Sequence, residues 1–159
     1  MKTNIFIDTE FTDLENMDLI SIGLVSTDGR QFYAERDDFD VGLCSEFVRS
    51  NVLPLLRAPS ASVMSNEALK PAVASWIASF EAEGAVICFD HVVDWALLWY
   101  LYDKNSPKWL GARNIKANLD LIARENFFVE AGLVQHHALN DAKANRYSMM
   151  TDSSDHPRS

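Results

Sequence analysis

Positive charge is in short supply in this chain: 14 Lys and Arg stand against 23 Asp and Glu, a formal net charge of -9 at pH 7. That balance excludes a protein that holds nucleic acid by bulk electrostatic attraction. Cysteine is nearly absent. Cys44 and Cys88 lie too far apart in sequence for a zinc-type pair, so neither a disulfide scaffold nor a cysteine zinc site is expected. Two reduced thiols in a cytoplasmic protein are expected instead. Long apolar runs are missing as well. The longest stretch, near Trp95–Tyr102, is too short for a bilayer and follows a carboxylate. The Met1-Lys2 start passes straight into a strand pattern without the form of a signal peptide. No membrane association is expected.

What is present fits an ordinary globular protein. The 159 residues are 48% hydrophobic and 23% charged, enough for one domain with a substantial core. Residues 1–150 read as that domain, and the polar residues 151–159 as a flexible tail. Charge is spread unevenly. Residues 1–100 hold 6 Lys/Arg against 16 Asp/Glu, whereas residues 101–146 hold 7 against 5. A metal-binding lobe beside a mildly basic lobe would look like this, and so would chance.

Strands are predicted over Lys2–Asp8, Leu19–Val25, Gln31–Ala34 and Ala85–Phe89, with a hairpin turn at Asp28-Gly29. Helical spacing covers Ser45–Leu56, with Ser45 as N-cap, and Asn66–Glu81, with Asn66 as cap and Pro71 suggesting a late start or a kink. Further helices are predicted over Asp94–Tyr102, Asn118–Arg124 and His136–Met150, with a loop from Ser106-Pro107 to Gly111. A hairpin followed by alternating helices and strands predicts a mixed α/β sheet covered by helices.

The chemistry begins in Ile5-Phe6-Ile7-Asp8-Thr9-Glu10-Phe11. A strand has period two, so Asp8 and Glu10 share a face. Two anions on one face of a core strand are costly unless neutralised, and hard oxygen ligands suit Mg²⁺ or Mn²⁺. Two further acidic places lie beside apolar structure: Asp90 and Asp94 in Phe89–Trp95, and Asp141 after His136-His137. About four carboxylates from separate elements can hold two divalent ions around a phosphodiester, and a neighbouring histidine can accept a proton. Each motif alone has a plainer reading. Asp8 and Glu10 could face solvent from an edge strand, Asp94 could cap a helix, and Asp141 could complement a helix dipole. The histidines could be loop residues, and Phe11 a core residue. Trp76, Trp95, Trp99 and Trp109 read as core, and Arg113, Lys116, Lys143 and Arg146 as surface charges.

Taken in order, IDTEFT, VVDWALL and HHALNDAKANR resemble the three motifs of the DEDDh (DnaQ-like) 3′→5′ exonuclease superfamily, including the five-residue step from His136 to Asp141. The resemblance covers residues 8–146. It implies an RNase H-like fold, two Mg²⁺ or Mn²⁺ ions, metal carboxylates at Asp8, Glu10, Asp94 and Asp141, and His136 as general base. LISIGLVSTDGRQFYAE and VLPLL are similar to the compact Rv2179c-like exoribonucleases (RNase AS). That likeness implies a homodimer acting on single-stranded RNA 3′ ends, with a preference for adenylate-rich tails. Thr9, Phe11 and Thr12 become candidates for contact with the terminal nucleotide. Asp90 stands where many relatives have Asn and rivals Asp94. His137 stands where many have Arg and rivals His136. The competing functions are a DNA exonuclease, a non-catalytic nucleic-acid-binding module and a metal phosphatase for small esters.

Overall fold

The first strand outruns its predicted length. In the computed structural model, which describes residues 1–151 and only the backbone of the last two, β1 spans Thr3–Phe11. It therefore carries both Asp8 and Glu10. The extension follows from its central place. β1 pairs antiparallel with β2 (Leu19–Ser26) along nearly its whole length and parallel with β5 (Ala85–Phe89) over its first half. The rest of the predicted tail beyond Thr151 lies outside the described residues.

β2 leads through the Asp28-Gly29 turn, with Gly29 at φ +92°, into β3 (Gln31–Arg36). Two short strands that the sequence reading missed complete the sheet: β4 (Val63–Met64) on β3, and β6 (Leu110–Asn114) on β5. β6 starts inside the predicted loop. It buries only Leu110, so it shows no alternation of apolar and polar residues. The six-stranded mixed sheet has the order β4-β3-β2-β1-β5-β6. With helices on both faces this is an α/β architecture consistent with an RNase H-like fold.

Several helix boundaries differ from the expectation. α1 (Glu46–Asn51) is capped by Ser45 as predicted, then gives way to a 3₁₀ turn holding Pro54. α2 (Asn66–Ala78) is capped by Ser65 rather than Asn66 and runs through Pro71. α3 (Val92–Leu101) begins two residues before Asp94, with His91 as its cap. The predicted Asn118–Arg124 helix is replaced by α4 (Leu121–Ala131). Asp120 accepts hydrogen bonds from Ile122 and Ala123 at its start, and Gly132 closes it at φ +62°. α5 (Ala138–Thr151) starts after the histidines, because His136 sits at φ +65°, outside the right-handed helical region.

Strand alternation sorts the core. Ile5, Ile7, Ile22, Leu24 and Ala34 pack against Leu69, Val73 and Ile77 of α2 and Leu97 and Leu98 of α3. Phe6 and Val25 pack on the other face with Ala142 of α5. Asp8 and Glu10 are in phase with Phe6, so they point to the α5 face. Among the described residues no helix is long and apolar enough to cross a membrane. Both cysteines are free and buried.

Candidate metal centre

Four separate elements bring carboxylates to one cleft of about 230 Å³. β1 supplies Asp8 and Glu10, the end of β5 leads to Asp90, the first turn of α3 holds Asp94, and the first turn of α5 holds Asp141. The cleft lies past the carboxyl end of β5 and against the carboxyl-terminal half of β1, its parallel neighbour, on the side where α/β sheets open to ligands.

The five carboxylates form two triads with a shared member. Ligand atoms of Asp8, Glu10 and Asp141 lie within 4.8 Å of one another, and so do those of Asp8, Asp90 and Asp94. The hydrogen bonds between them are incomplete. Asp94 Oδ1 accepts from the Thr9 backbone N at 3.0 Å and from Thr9 Oγ1 at 2.7 Å. Asp94 Oδ2 and Asp8 Oδ2 are buried with no partner among the described residues. A buried carboxylate oxygen without a donor is expensive unless a cation meets it. The donors are all hard oxygens, which suit a hard divalent cation.

Crowding shows in the acidities. Burial, and then the charges of Asp94, Asp141, Glu10 and Asp90, push the Asp8 carboxyl well above the usual carboxylate range. Burial, with Asp141 and Asp94, raises Glu10 to about 8. Burial lifts Asp94 to about 7 against the pull of the Thr9 hydrogen bonds. Burial lifts Asp141 to about 6, opposed by Arg124 and by the His136 backbone.

These shifts fix the sign of a pH effect. The unfolded chain has ordinary carboxylates, so near neutrality the native state binds more protons than the unfolded state. The contribution is fully present below about pH 4 and is lost as pH rises through the folded values of about 6, 7 and 8. Metal-free protein in EDTA is therefore expected to lose thermal stability between pH 6 and 8. Added Mn²⁺ should reverse the trend and release protons. Calorimetric unfolding across that range checks both signs, and an EDTA-treated protein that gains stability with pH contradicts the carboxylate crowding.

The two histidines part company. His136 lines the cleft, meets Phe47 edge-on at 5.0 Å, and donates its backbone N–H to Asp141 Oδ2 at 2.9 Å. His137 turns away and stacks on Tyr33 at 4.4 Å. Burial lowers its pKa. Both Asp90 and Asp94 reach Asp8, so the geometry brings the two rivals together rather than separating them.

The three nucleotide-contact candidates differ in what their side chains face. Thr9 is buried with its hydroxyl on Asp94. Thr12 is fully buried, donating to the Asn16 carbonyl at 2.6 Å and accepting from Asp18 N. Phe11 is half-buried and lines both the acidic cleft and an adjoining apolar hollow of about 300 Å³, which also holds Leu14, Phe47 and Val48.

Sequence reasoning missed Arg124 and Gln135, which line the cleft, and Asn145 behind it. Asn145 was within reach of the pattern, since it follows Asp141 by one helical turn. Arg113 and Arg146 lie elsewhere, on Cys88 Sγ and on the Thr27 carbonyl.

No family model matches the chain. Two curated relatives are similar to it: the 3′-5′ exoribonuclease Rv2179c of Mycobacterium tuberculosis strain H37Rv, and the 3′-5′ exoribonuclease MT2234.1 of Mycobacterium tuberculosis strain CDC 1551. Each is 44% identical over 59 residues, which is 36% of this chain and 35% of the relative. The chain thus spans about a third of the length of the curated relatives it matches.

Proposed function

We propose that the chain is a metal-dependent 3′→5′ exoribonuclease of the DEDDh type, with residues 1–150 as its single exonuclease domain. It shortens single-stranded RNA from the 3′ end and releases nucleoside 5′-monophosphates. The observation that carries this reading is the pair of carboxylate triads sharing Asp8. The names of the two relatives support it.

Asp8, Glu10, Asp94 and Asp141 would hold two Mg²⁺ or Mn²⁺ ions, with Asp90 beside them. When bound, the ions supply charge neutralisation and Lewis acidity at a scissile phosphodiester. His136 accepts the proton of the attacking water at a ring nitrogen. Its backbone bond to Asp141 ties that imidazole to the acidic site. Phe11 and the apolar hollow grip the terminal base by stacking, which tolerates any sequence. The negative surface leaves RNA affinity to these local contacts.

A gel time course on 5′-labelled single-stranded RNA and DNA of one sequence, with Mn²⁺ or EDTA, tests the proposal. The expected result is a metal-dependent ladder shortening from the 3′ end, faster on RNA. His136→Ala should slow it by roughly 10²- to 10⁴-fold, the usual range for a lost general base. A faster DNA ladder would make the chain a DNA exonuclease. An intact substrate at saturating Mn²⁺ would leave a binding module or a small-ester phosphatase.

A further inference from the structure

Among the described residues, one fixed cation is built into the wall of the cleft. Among the described residues lining the cleft, Arg124 is the sole Lys or Arg, against five carboxylates. It stands one turn inside α4. Its guanidinium carbon lies 5.3 Å from the centre of the Phe128 ring. Nε donates to Asn145 Oδ1 at 2.8 Å, and Nη2 reaches Asp141 Oδ1 at 3.4 Å. Asn145 is fully buried, and its Nδ2 donates to Asp90 Oδ1 at 3.1 Å.

The direction of these bonds carries information. Because Arg124 only donates, it fixes the Asn145 oxygen toward itself and the Asn145 amide toward Asp90. One guanidinium therefore orients a carboxylate in each triad, Asp141 directly and Asp90 through the amide. The charge also balances. Two divalent ions and one guanidinium together match five ionised carboxylates, so Arg124 is compatible with a loaded site rather than a substitute for it.

We propose that Arg124 and Asn145 are positioning residues of the metal centre, holding Asp141 and Asp90 in the orientation that divalent ions need. This rests on the metal-dependent reading above. Groups that orient metal ligands through hydrogen bonds commonly shift metal affinity by about 10- to 100-fold.

The test is Mn²⁺ titration by calorimetry on wild type, Arg124→Lys and Asn145→Leu, with unfolding of the metal-free proteins and turnover on labelled RNA in parallel. Arg124→Lys keeps the charge and loses the planar fork. It is expected to bind Mn²⁺ at least about 10-fold more weakly, with little change in metal-free unfolding. At saturating Mn²⁺ its kcat should fall while the KM for RNA stays within about twofold. Asn145→Leu should show the same loss of Mn²⁺ affinity, and Arg124→Lys decides the matter if the buried substitution unfolds the chain. Wild-type Mn²⁺ affinity in Arg124→Lys overturns the proposal alone. A raised KM with intact Mn²⁺ affinity also overturns it, making Arg124 a phosphate contact. Wild-type protein that binds no Mn²⁺ overturns the metal-dependent reading and this proposal with it.

Discussion

Asp8→Asn is expected to lower RNA turnover on the order of 10⁴-fold, the scale seen when a central catalytic group is removed, and yet to yield a metal-free protein more stable than wild type. The two effects have one cause. Asp8 belongs to both carboxylate triads, and four other carboxylates crowd it. Without metal, Asn removes a buried carboxyl that must either take up a proton or face the charges of Asp94, Asp141, Glu10 and Asp90. With metal, the same carboxylate joins the two ligand sets. A ligand that binds only the native state stabilises it by mass action, so Mn²⁺ should raise the unfolding temperature of wild type far more than that of Asp8→Asn. The stability order of the two proteins should thus reverse between EDTA and Mn²⁺. An Asp8→Asn protein with normal turnover, or with the same Mn²⁺ stabilisation as wild type, removes Asp8 from the site. Separate Asp90→Asn and Asp94→Asn proteins in the same assay name the ligand that the sequence left open.

The acidic site was readable because its parts obey short-range rules. Period two on β1 puts Asp8 and Glu10 on one face, and the strand period survives whatever packs around it. Asp94 and Asp141 are expected from the order of three motifs, and they line the same cleft as Asp8 and Glu10. Helix ends were less legible. Ser65 and Asn66 are both good caps, and only the Ser65 oxygen meets Ala68 N. The start of α5 was placed too early because nothing in His136-His137 announces a left-handed residue. β6 was invisible because its pairing with β5 is a long-range fact, while LGARN alone lacks strand character. Arg124 was hidden for a similar reason. A lone arginine on a predicted helix reads as a surface charge until α4 is seen to lie against α5.

Gly23 shows the same limit most sharply. In sequence it is an unfavourable residue in the middle of an apolar strand. In the structure it faces the start of α5. A Cβ added there would come within 3.0 Å of Leu139 N and of the Ala138 carbonyl carbon and oxygen, all backbone atoms that cannot rotate away. Gly23 pairs with Asp8 across β1 and β2, so this close approach sets the height of α5 above the acidic strand. Ala138 is followed one turn later by Asp141 and preceded by His136. Gly23→Ala is therefore expected to destabilise the protein by about 1–3 kcal/mol, as overpacking does. It should also depress turnover, because lifting α5 carries Asp141 and His136 away from Asp8. Gly29→Ala is the control. That position has φ +92° and nothing within 4 Å of an added Cβ, so it should lose stability through backbone strain and keep full turnover. Denaturant unfolding and metal-saturated turnover of both variants separate the two mechanisms. A Gly23→Ala protein as stable and active as wild type would show that α5 does not owe its seat to that missing side chain.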